Sequence, residues 1–179
     1  MPVFAREREF DSLIYAEAAR RGLDPLLIKA VIATESSFNP QAIRPEPQIK
    51  DASRGLMQIL AGTAKMMGYT GAPEGLFDPA TNIRFGSAYL AHQVERYGGS
   101  IPSAVAAYNA GTAKTTERGH FTNQEYVNRV LGYYEEFKQR EAPRPSEPPP
   151  APPVGPGAQT AGLLAVLGLL GLLAYRLWR

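Results

Sequence analysis

Glu35 closes a stretch in which charge is otherwise scarce. It follows Ile28, Val31 and Ile32 by seven, four and three positions, so all four side chains share a face if the segment is helical. A carboxylate on an apolar stripe loses hydration, which disfavours its charged form and raises its pKa. A glutamate so placed can hold a proton near neutrality and deliver it to a leaving oxygen. The plainer alternative is a helix-end glutamate that turns into water, and one acid alone does not decide between the two.

Other chemistries are poorly served. Cysteine is absent and His92 and His120 are the only histidines, so disulfides and thiolate metal sites are excluded and a catalytic zinc centre is not expected. His92 lies off the apolar stripe of its segment and reads as solvent-facing. The formal net charge is only +2, with Lys and Arg scattered among acids, so nucleic acid is not an expected partner. A chain that is 44% hydrophobic and 20% charged suits a globular domain with an appendage.

The elements that must position Glu35 read as helices punctuated by caps. A first helix carries Phe10, Leu13, Ile14 and Ala18 on one side and stops at Gly22. The Glu35 helix starts with Asp24 as N-cap and Pro25 in the first position, and Asn39-Pro40 ends it. A short helix covers Thr63 to Met67. Asp78-Pro79 opens a longer one to Tyr97, with Ile83, Ser87, Leu90, Val94 and Tyr97 as its stripe. Ser100 is expected to cap a helix that runs to Asn109 and ends at Gly111. The last runs from Thr122 or Asn123 to Gln139, with a capping box of Thr122 and Glu125 and an apolar face of Tyr126, Val127, Val130, Tyr134 and Phe137. No strong strand pattern appears, apart from a short extended piece near Leu56 to Leu60.

Beyond residue 140 the composition changes. Eight prolines fall among the 17 residues from Glu141 to Gly157, a semi-rigid linker with a reach of about 50 Å when extended. Ala161 to Trp178 then contains one charge, Arg176, and would span roughly 27 Å as a helix, close to a bilayer's hydrocarbon thickness. The expectation is a membrane helix within residues 158–179, with the lipid bilayer as partner through residues 161–178. Tyr175 and Trp178 would anchor it at the interface while Arg176 and Arg179 reach the headgroups. The N-terminus lacks the apolar run of a secretory signal, so signal-led export is not indicated. The two arginines favour a cytoplasmic C-terminus, which places the domain outside.

Four segments change the weight on Glu35: Glu35-Ser36-Ser37-Phe38-Asn39-Pro40, Gly55-Leu56-Met57-Gln58-Ile59, Ala107-Tyr108-Asn109-Ala110-Gly111 and Tyr126-Val127. In this order they resemble the soluble lytic transglycosylase family over roughly Leu13 to Phe137. The resemblance implies a mainly α, lysozyme-like domain at residues 1–140 that cleaves the MurNAc-GlcNAc β-1,4 bond of peptidoglycan glycan strands without any cofactor. It implies that Glu35 is the sole catalytic acid and base, with Ser36 close to the bound sugar. Met57, Gln58, Tyr108 and Asn109 would line the cleft, and the Tyr126 hydroxyl would orient Glu35. In such enzymes the muramic acid's own C6 hydroxyl attacks its anomeric carbon, so no water need be positioned and a 1,6-anhydro end results.

Plainer alternatives stand beside these roles. Met57 and Tyr126 suit a core, Asn109 a helix C-cap, Gln58 a structural hydrogen bond, and Ser36 the unpaired backbone of a helix end. Arg44 to Asp51 forms a longer loop than the family usually shows, and either Glu46 or Asp51 in it could supply a second carboxylate. The nearest rival keeps the fold but uses water, as goose-type lysozymes do. Thr122-Asn123 departs from the pair that usually precedes the tyrosine. A catalytically idle, membrane-anchored wall-binding module is the rival of another class. The setting expected is a bacterial envelope or the membrane of a phage virion.

Overall fold

The computed structural model describes residues 4–141. The proline-rich linker, apart from its expected first residue Glu141, which ends the last helix, and the expected membrane helix over 158–179 lie outside them. Among the described residues no helix is long and apolar enough to cross a membrane.

Six helices and a small sheet make the domain: α1 (Asp11–Arg21), α2 (Pro25–Ser36), β1 (Ile43–Glu46), β2 (Asp51–Arg54), β3 (Ile59–Leu60), α3 (Ala61–Met66), α4 (Pro79–Arg96), α5 (Ile101–Ala110) and α6 (Gln124–Glu141). Helix α2 is the hub. Every side chain from Leu26 to Ala33 is buried, which a helix apolar on all sides achieves only with neighbours around it. It packs chiefly on α6 and also on α1. Lys29, the one charge inside this run, is 3% exposed and reaches Asp11 on α1 at 2.7 Å, so its ammonium is paired. At the start of α2, Asp24 accepts from the Leu26 N–H at 2.8 Å and from the Tyr134 hydroxyl on α6 at 2.7 Å. One carboxylate thereby caps α2 and ties it to α6.

The loop expected between Arg44 and Asp51 is folded. Strands β1 and β2 pair antiparallel, with Arg44 opposite Ser53 and Glu46 opposite Asp51, and a 3-10 turn at Pro47–Ile49 joins them. Strand β3 extends the sheet through Ser53 and Arg54. The strand pattern is hidden in the sequence because Pro45 and Pro47 read as loop residues; an edge strand tolerates proline where the missing N–H faces away from the ladder.

Two caps differ from expectation. The Ser100 side chain makes no cap bond, and its hydroxyl pairs with that of Ser103 at 3.0 Å. Before α6 it is Gln124, in place of the expected Thr122 and Glu125, that reaches back, accepting from the Phe121 N–H at 3.0 Å. Helix α4 buries a wider arc than one stripe, adding Asn82, Gly86, Tyr89 and Gln93, because α1, α3, α5 and β3 all pack on it.

Asn82 clamps α4 to the turn before β3. Its Oδ1 accepts from the Met57 N–H at 2.7 Å, and its Nδ2 donates to the Arg54 and Leu76 carbonyls at 2.8 and 2.7 Å. Gly55 makes room for this: at φ 72°, a Cβ there would stand 2.3 Å from Asn82 Nδ2 and 2.6 Å from the Leu76 oxygen. Gly55→Ala is therefore expected to cost about 3 kcal/mol or more, a fall in Tm on the order of 10 °C. An unchanged thermal midpoint would show that the clamp is not needed.

Candidate active site

Glu35 sits in the last turn of α2, where the helix leaves the core and opens onto a cleft of about 400 Å³. The chain reverses at once. Ser37 and Phe38 both take left-handed conformations, at φ 50° and 63°, and Phe38 is fully buried, its ring centroid 5.3 Å from that of Phe4. Left-handed backbone at non-glycine residues costs on the order of 1 kcal/mol each, and burial of the Phe38 ring holds it in place. Gln58, at φ 45°, repeats the feature in the turn before β3.

Burial pushes the Glu35 carboxyl up to about 7, against the opposing pull of the Tyr126 hydroxyl and the charges of Arg44 and Arg129. The Tyr126 O–H donates to Glu35 Oε1 at 2.7 Å. Tyr126 is itself buried, and burial first, then the nearby charge of Glu35, raises its phenol well above the ordinary value. It stays a neutral donor at any working pH. With Oε1 so occupied, Oε2 is the oxygen left to carry and release a proton.

The expected site residues divide into two groups. Glu35, Gln58, Tyr108 and Asn109 line the cleft. Ser36, Met57 and Tyr126 stand behind it. The Ser36 hydroxyl is spent on the Leu56 carbonyl at 2.7 Å and the Ile32 carbonyl at 3.2 Å, which stitches the end of α2 to the turn before β3. Met57 is wholly buried against Gly86 of α4, where a Cβ would meet its sulfur at 2.5 Å. Its backbone carbonyl accepts from the Tyr108 hydroxyl at 2.8 Å, and burial raises that phenol well above its usual range. Gln58 Nε2 donates to the Ala42 and Gly55 carbonyls, leaving its Oε1 as the acceptor for a ligand. Asn109 Oδ1 accepts from Asn123 Nδ2 at 2.9 Å, so the Asn109 amide presents its N–H donors.

Besides Glu46, which the sequence offered as a second carboxylate, the cleft contains residues that sequence reading did not assign to it. Tyr89 of α4 packs its ring 5.3 Å from that of Tyr108. Arg44, Glu46 and Ser53 form the hairpin's contribution, and Thr63 comes from α3. Alternation of Arg44 and Glu46 about Pro45 was the available signal. Of the two acids in the long loop, Glu46 faces the cleft. Asp51 does not: it is held by Arg54 at 2.9 Å and by the Ala52 and Gly62 N–H groups, and the hydrogen bonds from Arg54 and those backbone groups lower its pKa despite the burial that opposes them.

Residues 12–127 match the family model described as transglycosylase SLT domain. The chain is 35% identical over 136 residues to membrane-bound lytic murein transglycosylase C of Yersinia pestis and of Yersinia pseudotuberculosis, an alignment covering 68% of this chain and 37% of each relative. It spans little more than a third of those proteins. Among solved structures, an inactive mutant of the lytic transglycosylase Slt from Pseudomonas aeruginosa is similar, with a TM-score of 0.65, 30% identity, and coverage of 79% of this chain and 26% of that one. The 70 kDa soluble lytic transglycosylase of Escherichia coli superposes at a TM-score of 0.64 with 24% identity over 74% of this chain and 24% of its own, which shows the fold. The described domain is thus mainly helical and lysozyme-like.

A carboxyl held at about 7 in the folded chain, against 4.5 ordinarily, lowers stability once the unfolded chain ionises first. The contribution is fully favourable below pH 4.5, declines between there and about 7, and is lost above. Glu35→Gln, always neutral, should therefore match the native chain in unfolding free energy near pH 4 and exceed it by on the order of 2 to 3 kcal/mol at pH 8. An equal difference at both pH values would show a carboxylate that ionises freely.

Proposed function

The chain belongs to the transglycosylase SLT domain family, and from that premise we propose that it is a lytic transglycosylase that cleaves the β-1,4 bond between MurNAc and GlcNAc in peptidoglycan. The observation that carries the reading is one carboxyl, poised near neutrality by burial and gripped on one oxygen by Tyr126, at the wall of a cleft lined with amide and hydroxyl groups. Neutral Glu35 donates its proton to the glycosidic oxygen as the bond to the anomeric carbon breaks. The resulting carboxylate takes the proton of the muramic acid C6 hydroxyl as that oxygen bonds to the anomeric carbon. The enzyme returns to its starting state and the sugar is left as a 1,6-anhydro end. An intramolecular nucleophile has a high effective molarity, so neither a second carboxylate nor a metal is called for. Tyr126 acts through Glu35, while Gln58 and Asn109 offer an acceptor and donors suited to N-acetyl groups.

The hydrolytic reading has one observation in its favour: Glu46 shares the cleft. Its Oε1 already accepts from Arg44 Nε at 2.8 Å and lies 3.3 Å from the Ser53 hydroxyl, which suits a wall residue better than a base for water. Purified sacculi decide the matter. Products of the native chain are expected to carry the anhydro mass, Glu35→Gln to lose clearing by at least about a thousandfold, and Glu46→Gln to keep anhydro ends. Hydrated reducing ends would establish the hydrolase instead, and sacculi bound but left uncut by the native chain and by Glu35→Gln alike would establish the idle wall-binding module.

The proposal includes the tether. Residues 142–157 would space the domain from a bilayer crossed by residues 161–178, supported by the apolar run itself and by relatives named as membrane-bound. Those relatives are bacterial, so the membrane proposed is that of a bacterial envelope in place of a phage virion. Alkaline carbonate should leave the full chain in the membrane pellet and release a chain ending at residue 140. Release of both would remove the anchor.

A further inference from the structure

The hairpin of β1 and β2 turns one face to the cleft. Arg44 and Glu46 are two residues apart on β1 and so share a side, and Ser53 is the cross-strand partner of Arg44. All three line the cleft with Glu35. Glu46 fixes the guanidinium by accepting from Arg44 Nε at 2.8 Å, and Ser53 reaches the same carboxylate oxygen.

Neither packing nor proton transfer to a sugar accounts for this arrangement. The Arg44 side chain is 58% exposed, and an ion pair so open to water adds little to stability. What the pairing does is orient a plane. With Nε engaged, the two terminal nitrogens of Arg44 form an open edge, the geometry that takes a carboxylate through two parallel hydrogen bonds. The position is also restricted, because Arg44 is close enough to Glu35 for its charge to pull on that carboxyl.

We propose that Arg44 is a substrate-binding residue that grips a carboxylate carried by the muramic acid residue whose bond is cut. The inference rests on the function proposed above and adds a specificity determinant to it. The lactyl ether and its peptide hang from the same sugar ring whose anomeric carbon Glu35 serves, so a cation within electrostatic range of Glu35 is within range of that substituent. A neutral chitin strand offers the same backbone with no acid to grip. The carboxylate can come from the stem peptide or, on a stripped strand, from the lactyl group itself.

Binding measured by calorimetry in the Glu35→Gln background, which leaves ligands uncut, tests this with three tetrasaccharides. One carries stem peptides, one has been stripped by an amidase to bare its lactyl carboxylates, and one is chitotetraose. Adding Arg44→Gln should weaken at least one acidic ligand by about 5- to 10-fold, with less than about a twofold change for chitotetraose. Arg44→Lys should recover only part of the loss, because a point charge lacks the fork. Loss confined to the peptide-bearing strand assigns the carboxylate to the stem, and loss confined to the stripped strand assigns it to the lactyl group. Equal weakening of chitotetraose, or no weakening of either acidic ligand, overturns the proposal. If the Glu35→Gln chain binds none of the three, peptidoglycan is not its substrate and the inference falls with that reading.

Discussion

The Tyr126 hydroxyl meets Glu35 Oε1 at 2.7 Å across 91 positions of sequence, and this contact decides what kind of acid Glu35 is. Burial alone favours the neutral carboxyl and pushes its pKa up. A hydrogen bond to the charged form opposes burial, and the charges of Arg44 and Arg129 add to it, so the group settles at about 7. An acid poised near the working pH can both give a proton and take one back, which a single-carboxyl mechanism requires. Because Tyr126 is buried and its own pKa lies far above that range, the donor never becomes a competing anion.

Such a balance needs rigid support, and the surrounding structure is built to supply it. Helix α2 is enclosed along most of its length, Asp24 joins its start to α6, and Ser36 joins its end to the Leu56 carbonyl. The turn before β3 is held in its place by Asn82 and by the Tyr108 hydroxyl on the Met57 carbonyl. Left-handed backbone at Ser37, Phe38 and Gln58 concentrates strain around the cleft, where fixed aim matters more than local stability. Several conspicuous motif residues therefore do not face the cleft; they hold those that do.

The hairpin adds a charged wall to this apolar frame. Burial and Tyr126 act on the Glu35 carboxyl more strongly, but Arg44 also pulls it down, while Glu46 holds the guanidinium that the cleft offers to a ligand. The wall is a folded hairpin, paired residue for residue from Ile43 to Arg54, and for that reason its side chains have fixed directions.

Much of the domain was legible from local signals. Asp24-Pro25 and Asp78-Pro79 announced the starts of α2 and α4, Gly22 and Gly111 the ends of α1 and α5, and the spacing of Ile28, Val31 and Ile32 put Glu35 on an apolar face. Capping and periodicity act within a few residues, so a sequence displays them directly. The hairpin, the wide buried arc of α4 and the division of motif residues between cleft wall and support were not legible, because each depends on partners distant in the chain. For Glu35 the sequence by itself determined a carboxyl at the end of an apolar helix. Its poise near neutrality was decided by the tertiary structure alone, because desolvation and the opposing hydrogen bond come from elements that meet only once α2, α6 and the hairpin are packed together.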